Sequence, residues 1–88
     1  MSVTAFKIPT AAEPIADKIR RLRDEATGQA RVHVQMLERA LAEAETLAAD
    51  IAEGGEAYQI GVRETSRRLA PELHAVRMKI QALLAREG

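Results

Sequence analysis

EGGEAYQIGVRE, residues 53–64, interrupts a chain that reads as helix on both sides of it. How this stretch is read decides the fold. Gly54-Gly55 stops a helix, because glycine enters the left-handed conformation of a helix C-terminus without a Cβ penalty. Gly61 starts another as N-cap, and Glu64 then lies near the positive end of the new helix dipole. Residues 54–61 are therefore read as a connector, of a length that joins antiparallel helices. Tyr58 and Ile60 within it are expected to fold back over the end of the core. An exposed Tyr58 would instead point to a loop that meets a partner.

Upstream, a helix is predicted over about 11–53. It begins between Thr10 and Pro14: Thr10 with Glu13 matches a capping box, and proline is tolerated in a first turn. Its apolar stripe runs Ile15, Ile19, Leu22, Ala26, Ala30, His33 or Val34, Leu37, Leu41, Ala44, Ala48, Ile51, in the steps of three and four that define one helical face. Gly28 is the weak point, since glycine costs about 1 kcal/mol relative to alanine in a helix interior. The stripe keeps its phase across Gly28, so one helix is expected. The alternative is a break there, with residues 11–26 folding back as a third helix. Residues 1–9 read as an extended arm, because Pro9 biases Ile8 away from helix.

Downstream, a helix is predicted over about 62–87. Val62, Ser66, Leu69, Leu73, Val76, Ile80 and Leu83 recur in alternating steps of four and three, a heptad seam. Pro71 breaks the hydrogen bonding but not the phase, so the helix should be kinked there rather than split. The two helices form an all-α antiparallel hairpin, with residues 10–88 as one domain. Charge agrees with that orientation. Residues 40–60 hold five acids and no base, and the hairpin sets them beside Arg63, Arg67 and Arg68. Exposed pairs of this kind contribute only about 0–1 kcal/mol each, so they inform orientation more than stability.

The hairpin does not close on itself. Its helices would be roughly 60 Å and roughly 39 Å long, which leaves the first turns of the longer one uncovered. The apolar content of 47% overstates the core, because 17 of those residues are alanine, which buries little area. Chains of 88 residues have much surface for their volume and often oligomerise. A two-fold dimer forming a four-helix bundle would cover both stripes. The expected dimer and core seam is Ile15, Ile19, Leu22, Leu37, Leu41, Ile51, Leu69, Leu73, Val76, Ile80 and Leu83.

Chemistry is sparse. There is no cysteine, so no disulfide and no thiolate metal site. His33 and His74 stand outside any HExxH pattern, and no Walker-type glycine loop or triad context occurs. No catalytic residue, metal or cofactor is expected. No stretch has signal-peptide or membrane-span character, so the expected location is the cytoplasm. IADKIRRLR, residues 15–23, is basic and amphipathic but lacks the bulky aromatics of a membrane-surface helix. The expectation is a non-enzymatic adaptor, scaffold or small regulator that homodimerises and binds a protein partner. A second reading is a small dimeric DNA-associated regulator. Its phosphate contacts would come from Lys18, Arg20, Arg21, Arg23, Arg77, Lys79 and Arg86, which the hairpin would gather at its free end.

Overall fold

The computed structural model describes residues 13–87. All regular structure among them is helical. Helix α1 spans Ile15–Ala52, one 3-10 turn covers Gly55–Ala57, and helix α2 spans Ile60–Glu87. Thr10 and the N-terminal arm lie outside the described residues, and with them the capping box. Pro14 stands immediately before α1, and its carbonyl accepts the Lys18 N–H at 3.0 Å.

Gly28 lies within α1, and Pro71 lies within α2 without dividing it. Residues 15–26 therefore belong to α1 and are not a separate third helix; residues 11 and 12 of the expected third helix lie outside the described residues. Between α1 and α2 the two connector glycines do different jobs. Gly55 carries the left-handed conformation, with φ of +71°. Gly54 is needed for space, because a Cβ there would fall on the Tyr58 ring. Tyr58 is thus laid on the backbone of the turn, with its N–H donating to the Gly55 carbonyl at 3.2 Å. It does not cap the core as expected: Tyr58 is 43% exposed and Ile60 is 69% exposed.

The chain divides into two units at His33/Val34. In the first, every described residue is exposed, Ile15, Ile19 and Leu22 among them. The second unit is the hairpin, and its contact pairs run in opposite directions. Glu45 of α1 meets His74 and Arg77 of α2, and the Ala52 carbonyl meets Arg67. The residues removed from solvent show which faces touch. On α1 they include Val34, Glu38, Leu41, Glu45, Ala48 and Ala52; on α2 they include Ser66, Ala70, Leu73, Arg77, Ile80 and Leu84. Both series alternate steps of four and three, the spacing of a coiled-coil seam.

That seam is graded. Near the turn it is made of Ala48, Ala52, Ser66 and Ala70, small side chains that let the helices approach closely. Toward the open end it carries Leu41, Leu73, Ile80 and Leu84. Among the described residues only Ala48, Ala52 and Ser66 are buried, and no large apolar side chain is. Two buried alanines contribute little transfer free energy. The ordering of two helices costs roughly 1–2 kcal/mol per residue. The intrachain contact alone is a poor match for that cost.

Candidate protein-interaction face

The apolar stripe of each helix is wider than the hairpin contact, and the contact takes one flank of it. On α2 the uncovered flank is Val62, Leu69, Val76 and Leu83, between 40% and 50% exposed. Each directly precedes a residue that faces α1: Arg63, Ala70, Arg77 or Leu84. On α1, Leu37, Ala44 and Ile51 stand in the same relation to Glu38, Glu45 and Ala52. Leu37 is exposed, and Ala44 and Ile51 are half-buried. Leu47 and Met36 extend this flank outward, at 58% and 56% exposure.

Handedness places both flanks together. One residue back along a right-handed helix is a turn of about 100° in a fixed sense. Helix α2 runs opposite to α1 and also faces it, so the two reversals compensate and both offsets point to the same side of the hairpin. One side is therefore a continuous apolar surface drawn from both helices. The other side is polar, with Gln35, Arg39, Glu53, Arg67, His74 and Gln81. A shallow groove on that side is lined by Gln35, Glu38, Arg39, Ala42, Arg77 and Gln81, residues of both helices.

Of the expected seam, the hairpin contact uses Leu41, Leu73 and Ile80, with Ile51 at its margin. It leaves Leu37, Leu69, Val76 and Leu83 on the open side, and Ile15, Ile19 and Leu22 stand exposed in the first unit. Two charged residues inside the contact were not anticipated. The Glu45 carboxylate accepts hydrogen bonds from Arg77 Nε and, at 3.1 Å, from Arg77 Nη2, and it lies 3.1 Å from His74 Nδ1. The Glu45 and Arg77 side chains are only 14% and 19% exposed. Hydrogen bonding from Arg77 holds the Glu45 carboxyl below the usual glutamate range, and the reciprocal bond raises Arg77.

A pH dependence follows. The stability from this lowered carboxyl is fully present above the unfolded-state value, roughly 4.3, and is lost as pH falls through the folded-state value. The melting temperature should therefore drop as pH falls from about 5 through that folded-state value. Thermal melts of Glu45→Gln should show a shallower drop over that interval; equal slopes would show that Glu45 does not contribute.

The basic residues are only partly free to act as a patch. Arg20 pairs with Asp17, and Arg21 pairs with Glu13 at 2.7 Å and with Glu25 at 3.4 Å. Arg77 faces α1 rather than solvent, so it leaves the expected outward cluster. Lys18, Arg23, Lys79 and Arg86 have no carboxylate partner among the described residues. Arg67 has another use. It donates to the Ala52 carbonyl at 2.8 Å, which satisfies an orphan acceptor at the end of α1 and places a cation at the negative end of its dipole. The sequence expectation of Arg67 against an acidic side chain of α1 is replaced by this backbone contact.

No described helix is long and apolar enough to cross a membrane. In comparisons with known proteins, the chain matches no protein-family model, no curated protein and no solved structure.

Proposed function

We propose that the protein is a non-enzymatic helical interaction module, an adaptor, scaffold or small regulator that acts as a homodimer. One observation carries this reading. Among the described residues the hairpin buries only alanines and a serine, while a row of leucines and valines, from α2 and in part from α1, stands open on one side. Contiguous apolar surface with a polar reverse face is the mark of a protein contact. The missing core and the open face are complementary: covering the second supplies what the first lacks. In the first unit, Ile15, Ile19 and Leu22 are exposed apolar residues of their own. Carboxylate pairing of Arg20, Arg21 and Arg77 removes three of seven cations from a phosphate-facing patch, so protein contact is favoured over nucleic acid.

Light scattering across a dilution series tests the assembly, with helicity followed by circular dichroism. The expected result is twice the chain mass at high concentration, with mass and helicity falling together on dilution, because folding and association are linked. A single-chain mass at every concentration with full helicity would overturn the homodimer.

A further inference from the structure

We infer that the second copy packs apolar side to apolar side with its two-fold axis parallel to the helices, so that α1 of each chain lies over α2 of the other. This rests on the homodimer reading above and adds its geometry. The observation behind it is the charge on the two outer edges of the open face. Along α1 that edge carries Glu43 and Asp50, both exposed. Along α2 it carries Arg68, Lys79 and Arg86, with Glu72 as the one acid.

Two symmetric ways exist to stack the open faces. An axis perpendicular to the helices, lying in the plane of the hairpin, sets α1 over α1 and α2 over α2. The Glu43/Asp50 edge then meets itself, and so does the basic edge. An axis parallel to the helices sets each acidic edge against a basic one. Like charges brought together across an interface select against the first arrangement.

The heights also match. Within one chain, Glu45 is level with His74 and Arg77, and Ala52 is level with Arg67. A two-fold axis parallel to the helices leaves height unchanged. Glu43 therefore falls level with Lys79 of the second copy, and Asp50 with its Arg68. Symmetry makes each pair twice. The apolar strip between the edges brings Leu47 and Ile51 opposite Leu69, and Leu37 opposite Leu83. Charge sets the arrangement and apolar contact supplies the affinity.

The test uses the full chain with both edges exchanged, Glu43→Lys and Asp50→Lys together with Arg68→Glu and Lys79→Glu, which leaves the net charge at zero. Equimolar exchanged and unchanged chains are mixed at low ionic strength, where surface charge is least screened, and homodimers and mixed dimers are counted by native mass spectrometry. Each chain alone keeps opposed edges and should dimerise as the unchanged chain does. The mixed dimer sets like edges together and should fall at least about tenfold below its statistical share. The α1-over-α1 arrangement predicts the reverse, because its mixed dimer sets acid against base on both edges. A mixed dimer at or above its statistical share would overturn the geometry and leave the homodimer standing. A monomeric unchanged chain would overturn both.

Discussion

Replacing Leu69 and Val76 together by glutamate is expected to reduce the protein to single-chain mass. In the isolated hairpin these residues are 40% and 50% exposed and do not point into the contact between α1 and α2. Surface substitutions at such positions ordinarily change stability by less than about 0.5 kcal/mol. If the open side is an interface, the account changes. Full burial of a leucine or valine contributes about 1.5–3 kcal/mol, and roughly half remains to be gained at each site. Four sites per dimer then lose about 3–6 kcal/mol, or roughly 10²- to 10⁴-fold in the dissociation constant. Sedimentation of the double variant against the unchanged chain reads this directly. Full association with an unaltered constant would remove Leu69 and Val76 from any interface.

Leu73→Asp should be more severe, and in a different way. Leu73 lies in the hairpin contact itself, in line with Ser66, Ala70, Arg77 and Ile80. An aspartate there has Glu45 a short distance along α1 and no free cation beside it, because Arg77 is already engaged. An unpaired charge taken out of water costs several kcal/mol. That is a large fraction of the 5–15 kcal/mol that holds a typical domain together. The expected outcome is loss of most helicity at room temperature and of any cooperative melt, at all concentrations. The Leu69/Val76 variant, by contrast, should regain mass and helicity when concentrated. A Leu73→Asp protein with the original melting temperature would show that the hairpin does not close through this row.

Much of the architecture was legible in the residues. Gly54-Gly55 and the phase of two apolar stripes were enough for two helices and a connector, and the in-phase stripe across Gly28 was enough for one long first helix. The choice of flank was not legible. On α2 the apolar residues at 62, 69, 76 and 83 outrank those at 70, 77 and 84, which include Ala70 and Arg77. Hydropathy therefore points the wrong flank toward α1. Arg77 and Glu45 read as solvent-facing because charged side chains are rarely buried unless paired, and a pair between distant positions has no local signature. Tyr58 and Ile60 were expected over the core, but the seam near the turn is alanine and serine, which offers a ring little apolar area to cover. Tyr58 lies on Gly54 instead.

The Glu45–Arg77 pair bears on a question of ambiguity. The sequence of α2 contains two rows of the same seven-residue period, one position apart, and the row that faces α1, with Arg63 and Arg77, is the less apolar of the two. A rotation of α2 by one residue would close the hairpin through Val62, Leu69, Val76 and Leu83, with more hydrocarbon against α1 than the observed closure has. That rival would set Val76 against Glu45 and leave the carboxylate desolvated with no cation, while Arg77 turned outward. A half-buried ion pair adds little to stability. Its service here is discrimination: it penalises the greasier closure, and so keeps the richer apolar row on the open side of the hairpin.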